Sequence, residues 1–450
     1  MRKLIPFILV SFLILSCPAD DSGSNSAEVS LQIPADFAGM CHSGASSNLD
    51  REYQILNEMG VVWLHRDFSW SSIQPTDENT WNFSSFDNFV ARGKAEDKKI
   101  MGMLLYDVKW VHDKFGFPDQ RRVREEELPY FVNYAVETVK RYNGKNGHGK
   151  VDAWLIWNEP DLNPRFWEGT KEEFFALTKE TAEAIRELDA QEGTTTTLVG
   201  GIFAATVLND DKWITGLFDS GAMAQVDFIS VHPYTITAEA AVNTVEKFKN
   251  KVTPYGFADK IWLNEMGYPT YLEQGVLPAG RYGFDQWEGD MPEVVTKTFV
   301  LLALTGAKNL TWYHLFDSAN RNDNDSESWF GLIWRKSADE WIKKGGYWGY
   351  AICANNIPGK TYKEKKFFSG KVSDSVQSYY FEGQDGKHTL VVWNSSSLRP
   401  ADITINLKGS SHKLWDPVTG ASSAIEKTSS YTLNPANTSE LNLVFITWEE

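Results

Sequence analysis

The sequence predicts an α/β fold in which a closed barrel of eight parallel β-strands with surrounding helices precedes a small β-sandwich. Over residues 35–357, short apolar runs alternate with longer segments of helical periodicity, as repeated βα units require. Over residues 358–450, short alternating runs separated by turn residues replace that pattern. A chain of 450 residues is long enough for one barrel-sized domain and a smaller one.

Eight apolar runs are predicted as the barrel strands. They are Phe37–Cys41, Val61–Arg66, Ile100–Tyr106, Val151–Asn158, Thr197–Gly201, Val226–Val231, Ile261–Glu265 and Leu310–His314. The predicted helices between them include Leu49–Met59, Phe86–Lys94, Leu128–Arg141, Lys171–Leu188, Ala238–Val252 and Pro292–Thr305. Repeated βα units of this number indicate a (β/α)8 TIM barrel, in which chemistry takes place at the carboxyl ends of the strands.

The C-terminal region is predicted as a β-sandwich because its apolar runs are short and separated by turn residues. The runs are Ser378–Phe381, Leu390–Trp393, Ile403–Leu407 and Leu441–Ile446. A structural sandwich packed on the barrel is favoured over a sugar-binding module, because the aromatic residues form no evident platform.

The first residues are typical of an export signal. Arg2 and Lys3 precede the apolar run Leu4–Leu15, which at about 12 residues is shorter than the roughly 20 needed to span a bilayer. The junction before Cys17 resembles a bacterial lipoprotein cleavage box, so residues 1–17 are predicted as a lipoprotein signal peptide with a lipidated Cys17. Ordinary signal cleavage remains the alternative. Residues 18–34 are predicted as a flexible tether, and the chain as lipid-anchored at the bacterial cell envelope or secreted.

Composition narrows the classes of partner. The formal net charge of −16 argues against binding to nucleic acid. Aromatic residues make up 14% of the chain, and flat aromatic side chains suit sugar rings as well as ordinary cores. No phosphate-binding loop, zinc motif or serine-hydrolase elbow is present, so no metal and no cofactor are expected. Cys41 and Cys353 are predicted to be buried thiols.

Polar residues close nearly every predicted strand. They are His42 after the first strand, His65-Arg66-Asp67 at the second, Tyr106-Asp107 at the third, Asn158-Glu159 at the fourth, His232-Pro233-Tyr234 at the sixth, Asn264-Glu265 at the seventh and Trp312-Tyr313-His314 at the eighth. Because parallel strands end at the same mouth of a barrel, we expect a site ringed by ionisable and hydrogen-bonding groups.

Glu159 and Glu265 are the predicted catalytic pair. Hydrolysis of a glycoside needs one carboxylic acid to protonate the leaving oxygen and a second group to meet the reacting carbon. Their strand ends are able to place the two carboxyls about 5 Å apart, which leads to a covalent intermediate and retained configuration. Arg66 and Tyr234 are predicted to donate to Glu265, and Asn158 to contact a substrate hydroxyl.

These residues resemble the clan A glycoside hydrolases, which are retaining TIM-barrel enzymes. The likeness is carried by motifs at the second, fourth, sixth, seventh and eighth strands, namely Arg66-Asp67-Phe68-Ser69-Trp70, Trp157-Asn158-Glu159-Pro160, His232-Pro233-Tyr234, Glu265-Met266-Gly267-Tyr268-Pro269 and Trp312-Tyr313. Within the clan the chain is most similar to glycoside hydrolase family 39, and it shares the site plan of family 5. Asn264 stands where the family often has Thr, and His314 where an acidic residue is common.

The resemblance implies a role for each matching residue. Glu159 is the acid/base and Glu265 the nucleophile. The substrate-binding residues that it implies are Arg66, Asn158, His232, Tyr234 and Trp312, with Trp312 as a sugar platform. Simpler alternatives remain for some of them: Arg66 as an ion-pair partner of Asp67, His232 and Tyr234 as satisfied core groups, and Trp312 as packing.

The predicted function is that of a retaining glycoside hydrolase that cleaves β-glycosidic bonds of a poly- or oligosaccharide. Arg281, Tyr282, Phe284 and Trp287 in the loop after the seventh strand suggest further sugar subsites. The alternative is a non-catalytic glycan-binding surface lipoprotein on the same barrel, although a binding protein has no need of two catalytic carboxylates.

Overall fold

A computed structural model of the protein describes residues 30–44, 46–271, 282–318, 325–365, 367–369, 374–435 and 442–450. The predicted signal peptide, its Cys17 and Arg281 lie outside the described residues. None of the described helices is long and apolar enough to cross a membrane.

Eight parallel strands close into a barrel in chain order, with the eighth paired to the first. They are β1 (Ala38–Cys41), β2 (Trp63–Ser69), β3 (Lys99–Leu105), β4 (Ala153–Ile156), β5 (Thr197–Ala204), β6 (Phe228–His232), β7 (Ile261–Met266) and β8 (Leu310–Trp312). Each strand overlaps its predicted run, and the predicted TIM barrel is confirmed.

Helices surround the barrel. They are α1 (Leu49–Glu58), α2 (Trp70–Ile73), α3 (Ser84–Ala95), α4 (Lys109–Phe115), α5 (Leu128–Arg141), α6 (Lys171–Glu192), α7 (Lys212–Asp219), α8 (Ala238–Val252), α9 (Met291–Ala303) and α10 (Gly346–Asn356). The longest, α6, begins with a capping box between Thr170 and Glu173 and ends at Gly193, whose φ of 61° terminates the helix.

Side chains along the barrel strands alternate between the interior and the helices. On β2, Trp63 belongs to the cluster that fills the lower barrel, together with Met101, Leu155 and Trp262. Leu64 and Phe68 of the same strand belong instead to the cluster between the strands and the helices. Each strand therefore presents only every second side chain to the mouth of the barrel.

The C-terminal strands form two antiparallel sheets, as predicted. The main strands of the larger sheet are Thr361–Lys363, Val376–Glu382, Lys387–Asn394, Ser410–Trp415, Ser422–Ala424 and Leu443–Glu449, and those of the smaller are Phe368–Ser369, Ala401–Asn406 and Thr428–Leu433. Along the larger sheet, Val391 and Trp393 pack with the barrel core, whereas Leu390 and Val392 face the smaller sheet.

Two further details concern the ends of the barrel region. Ser30–Gln32, part of the predicted tether, is a strand paired with Thr361–Lys363, because Leu31 packs against the core. The predicted domain boundary at residue 358 stays a prediction.

Cys41 and Cys353 are buried free thiols, as predicted.

A buried ion pair holds the segment that follows β8. Lys344 Nζ lies 2.9 Å from Asp317 Oδ1, and both side chains are almost completely buried. Asp317 also accepts a hydrogen bond from the Gly331 amide, and Lys344 donates one to the carbonyl of Trp329. The loop that carries Trp329 and Gly331 is thereby tied to the end of the barrel.

We expect Asp317→Ala to lower the free energy of unfolding by about 3 kcal/mol, because it removes the 2.9 Å partner of the buried Lys344 ammonium and leaves only the Glu288 carboxylate, at 3.8 Å. Glu340→Ala is the matched control, since Glu340 forms an ion pair with Lys336 in which both side chains are about half exposed. Its cost should stay within about 1 kcal/mol. Chemical denaturation of the three proteins measures the difference, and equal costs would contradict the assignment.

Candidate active site

A cavity of about 420 Å³ opens at the carboxyl ends of the barrel strands. Its walls come from all eight strand ends. The lining residues are His42, Asp67, Tyr106, Asn158, Glu159, Leu162, Arg165, Phe166, Ala204, Ala205, Thr206, His232, Tyr234, Glu265, Tyr282, Phe284, Tyr313, Glu327 and Phe330. Five of the seven predicted catalytic and substrate-binding residues are among them.

Two carboxylates meet one imidazole at the centre of the cavity. His232 Nδ1 lies 2.8 Å from Glu159 Oε1 and 3.4 Å from Glu265 Oε2. The nearest nitrogen and oxygen atoms of these three side chains all lie within 4.8 Å of one another. Glu159 and Glu265, which are 106 positions apart in the sequence, are therefore brought together in one cavity.

Asn264 of β7 holds the imidazole of His232 on the side of the ring away from the two carboxylates. Its Nε2 lies 3.1 Å from Asn264 Oδ1, which also accepts a hydrogen bond from the hydroxyl of Ser230. Because an amide oxygen only accepts, Nε2 carries a proton and Nδ1 faces the two carboxylates. Asn264, the departure from the family pattern, thus orients the ring.

Burial and charge oppose each other at this centre. Burial lowers the pKa of His232, but the negative charges of Glu265 and Glu159 outweigh it and raise that pKa to about 9. Burial raises the pKa of Glu265 to about 8, although the charge of His232 acts in the opposite direction. A proton on His232 therefore favours the ionised form of Glu265, whereas the negative charges around it favour the acid form.

The backbone that carries Glu159 leaves the regular strand after β4. Trp157 and Glu159 have φ values of 63° and 42°, in the left-handed region that non-glycine residues rarely adopt. The amide of Trp157 donates to the carbonyl of Leu104, and the amide of Glu159 to that of Ile202, both at 3.0 Å. Neighbouring strands therefore hold a strained segment that turns Glu159 into the cavity.

Asn158 and Tyr234 flank the carboxylates. The Tyr234 hydroxyl donates to Glu265 Oε2 at 3.2 Å. Asn158 donates through Nδ2 to the hydroxyl of Tyr106 at 3.3 Å, while its buried Oδ1 has no partner among the described residues. A buried acceptor without a donor is costly, so Asn158 is ready to bind a hydroxyl group of a ligand.

Arg66 does not reach the cavity, and its predicted role is wrong. The guanidinium lies over the rings of Phe86 and Phe89 on α3, at 5.6 and 4.9 Å from their centroids. Phe68, two residues further along β2, packs on the same two rings. Arg66 thus shares the outward face of β2, because side chains alternate along a strand.

Trp312 is not a sugar platform. It is fully buried in the wall of the barrel, where its ring packs against Tyr268 and Tyr350. The next residue, Tyr313, lines the cavity instead. The simpler interpretation of Trp312 as a packing residue is the one that the structure supports.

Asp67 lines the cavity, although the sequence analysis placed it only among the polar strand-end residues and gave it no role. It lies on the face of β2 that also carries Trp63 and His65, opposite to the face of Arg66. Counting every second residue from Trp63 would have identified Asp67.

The rim of the cavity joins loops that follow three different strands. Tyr282 OH donates to Glu327 Oε2 at 2.7 Å, Tyr313 OH donates to Glu327 Oε1 at 2.5 Å, and Arg165 Nη2 donates to Tyr282 OH at 3.2 Å. Of the residues predicted to form further subsites, Tyr282 and Phe284 line the cavity, whereas Trp287 does not.

The nitrogen and oxygen atoms of Glu159, His232 and Glu265 are also donor types that divalent metals accept, and they lie close enough to share an ion. The contacts of His232 with Glu159 and Glu265 fit equally well a site in which the three side chains share protons and hold no metal. The absence of a metal or cofactor requirement stays a prediction.

Comparison with known proteins agrees with this geometry. Residues 125–257 match the sequence model of Glycosyl hydrolases family 39. A β-xylosidase of Caldicellulosiruptor saccharolyticus is 37% identical over 326 residues, which cover 66% of this chain and 64% of that protein. The predicted resemblance to family 39 is confirmed.

Solved structures share the fold at low sequence identity. A family 39 glycoside hydrolase from the gut symbiont Bacteroides cellulosilyticus WH2 has a TM-score of 0.68 at 17% identity, covering 93% of this chain and 81% of that one. A family 39 β-xylosidase from Caulobacter crescentus has a TM-score of 0.63 at 15% identity, covering 92% and 96%. These likenesses show the barrel and its C-terminal sheets.

We expect His232→Asn to raise the pKa of the Glu265 carboxyl further, by about one unit or more, because the cation that favours its ionised form is removed. Carbon-13 NMR titration of glutamate-labelled protein measures the shift, and Glu265→Gln identifies the signal. His112→Asn is the matched control, because His112 also contacts two carboxylates, Glu127 and Asp107, but lies outside the cavity. An unchanged or lower pKa in His232→Asn would contradict the charge assignment.

Proposed function

We propose that the protein is a retaining β-glycosidase that cleaves O-glycosyl bonds of an oligo- or polysaccharide. One observation carries the proposal: the nearest oxygen atoms of Glu159 and Glu265 lie within 4.8 Å of each other. Retaining glycosidases place their carboxyl groups about 5 Å apart, whereas inverting enzymes need about 6.5–9.5 Å to admit a water molecule.

In the first step, Glu265 attacks the anomeric carbon while Glu159 gives its proton to the leaving oxygen. The glycosidic bond breaks and a covalent glycosyl–Glu265 ester forms. In the second step, Glu159 takes a proton from water, whose oxygen attacks the same carbon and releases Glu265. Tyr234 holds the nucleophile by its 3.2 Å hydrogen bond. The charge of His232 favours the ionised form of Glu265, which is the form that attacks.

The substrate proposal is supported by the named relatives. Both matching relatives of curated function are β-xylosidases, the second from Geobacillus stearothermophilus at 35% identity over 108 residues. The chain spans 64% of the length of the Caldicellulosiruptor enzyme. A β-xyloside is therefore the first substrate to test, and neutral β-glycosides of similar size are the next.

The proposed location is the bacterial cell envelope. The basic residues and the apolar run before Cys17 support export and a lipid anchor on that cysteine. Radiolabelled palmitate incorporated by the full chain, but not by Cys17→Ser, would support the anchor.

Incubation with an activated 2-fluoro β-xyloside, or the 2-fluoro analogue of the best substrate in a panel of aryl β-glycosides, is expected to label Glu265. The fluorine slows hydrolysis of the ester, so the adduct accumulates and peptide mass spectrometry locates it. Glu265→Ala should lower kcat by roughly 10⁴-fold or more.

With an activated aryl glycoside, Glu159→Ala should accumulate the glycosyl-enzyme, because no general base remains to activate water in the second step. Azide should restore turnover, because this anion attacks the glycosyl-enzyme without a general base. Glu125→Gln, an exposed carboxylate outside the cavity, serves as the control. A 2-fluoro glycosyl adduct on another residue, or full turnover by Glu265→Ala, would contradict the mechanism. Saccharide binding without hydrolysis of any glycoside would favour a glycan-binding protein instead.

A further inference from the structure

Asp67 is a third carboxylate in the cavity. It closes β2 on the inward face and lines the same space as Glu159 and Glu265. No side chain or amide among the described residues donates a hydrogen bond to it, and only the charges of His42 and Arg66 act in its favour. Glu159, Glu265 and Glu327, by contrast, all have hydrogen-bonding or ion-pair partners.

The acceptor sites of Asp67 are open to a ligand. Burial raises the pKa of Asp67, and its charge in turn adds to the rise in the pKa of Glu265. The Asp67 side chain is only partly buried and lines the cavity, so its oxygen atoms face the space that a ligand would fill. An ionised carboxylate only accepts hydrogen bonds, and the hydroxyl groups of a sugar are suitable donors.

The barrel order places Asp67 on one side of the catalytic pair. Because β4 carries Glu159 and β7 carries Glu265, a line between them leaves β5 and β6 on one side and β8, β1, β2 and β3 on the other. The second side presents His42, Asp67, Tyr106 and Tyr313 to the cavity. The first side presents Ala204, Ala205 and Thr206 at the end of β5, and at the end of β6 it presents His232 and Tyr234, whose polar atoms contact the two glutamates.

The distribution of polar groups suits the two halves of a glycoside. The glycon, the sugar that stays on the nucleophile, presents several hydroxyls at fixed positions and therefore fits the polar side. The hydroxyl of Tyr106, which accepts from Asn158, keeps its own proton available beside Asp67. The leaving group fits the side lined by Ala204, Ala205 and Thr206.

We propose that Asp67 determines glycon specificity by accepting hydrogen bonds from two neighbouring hydroxyl groups of a neutral sugar. This inference rests on the proposed function. It also predicts that acidic sugars are rejected, because a glycon carboxylate would face three protein carboxylates. Arg165, the arginine of the cavity wall, is engaged by Tyr282 and by Glu327 at 3.7 Å.

The test is a double-mutant cycle between protein and substrate. Wild type, Asp67→Asn and Asp67→Ala are compared on 4-nitrophenyl β-D-xylopyranoside and on its 3-deoxy and 4-deoxy analogues. Deleting a bound hydroxyl should lower kcat/KM of the wild type by about 10- to 100-fold, the loss typical of a hydrogen bond to a charged group. The same deletion should cost Asp67→Ala no more than about 3-fold, because the partner is already absent.

Asp339→Asn is the control for the change in net charge, because Asp339 is exposed and remote from the cavity. It should show the wild-type sensitivity to each deoxy analogue. Labelling of Glu265 by the 2-fluoro glycoside shows that each Asp67 variant retains a formed site. The fall in kcat/KM of the wild type on the deoxy analogues is measured without any variant, so it does not depend on whether a variant folds.

The outcomes separate the two proposals. Equal losses in wild type and Asp67→Ala, or no loss with either analogue in the wild type, would overturn the role of Asp67 while the glycosidase proposal stands. A wild type that hydrolyses no β-glycoside would overturn both.

Acidic sugars provide a second, independent measurement. The wild type should hydrolyse 4-nitrophenyl β-D-glucuronide at least about 100-fold more slowly than the xyloside, a difference that corresponds to an unpaired buried charge. A glucuronide hydrolysed as fast as the xyloside would overturn the assignment of a neutral glycon.

Discussion

The closed ladder of eight parallel strands is the constraint on which the site depends. Closure brings every carboxyl end to one mouth, and the two-residue period allows each strand to present only alternate side chains there. On β2 this period directs His65 and Asp67 inward and Arg66 onto the aromatic rings of α3. On β4 the regular strand ends at Ile156, and the left-handed conformations of Trp157 and Glu159 turn the next residues into the cavity.

Electrostatics within that mouth follow from crowding carboxylates in a buried space. Glu159, Glu265 and Asp67 line one cavity, and the charges of Glu159 and Asp67 oppose the ionisation of Glu265. His232 offsets part of this repulsion because Asn264 and Ser230 hold its ring with Nδ1 directed at the carboxyls of both glutamates. The result is a centre in which protons are shared over short distances, the condition that acid/base and nucleophilic roles require.

Much of this arrangement was predictable from local pattern. All eight strands, the predicted helices and the antiparallel C-terminal region appear where the periodicity of the sequence places them. Glu159, Glu265, Asn158, His232 and Tyr234 were identifiable because each closes or follows a strand, and the structure brings them together. Arg66 was assigned to the site from its place at a strand end as well as from motif resemblance, and Trp312 from motif resemblance. Neither signal tells which face of a strand a residue occupies. On the rim, Tyr282 was identifiable as an aromatic residue of the loop after the seventh strand. Its partners Arg165 and Glu327 come from loops distant in sequence, and no local pattern indicated them.

The sequence by itself determined the βα alternation, the positions at which strands end and the residue types available there, because these depend on short-range periodicity and turn chemistry. Only the tertiary structure decided which of those residues meet. The two glutamates chosen from the sequence are close because closure of the barrel brings β4 and β7 to a common mouth. The pKa of Glu265 depends on a histidine from β6, and an aspartate from β2 lines the same cavity. Distances, burial and unpaired hydrogen-bonding groups arise only when strands far apart in the chain are packed side by side.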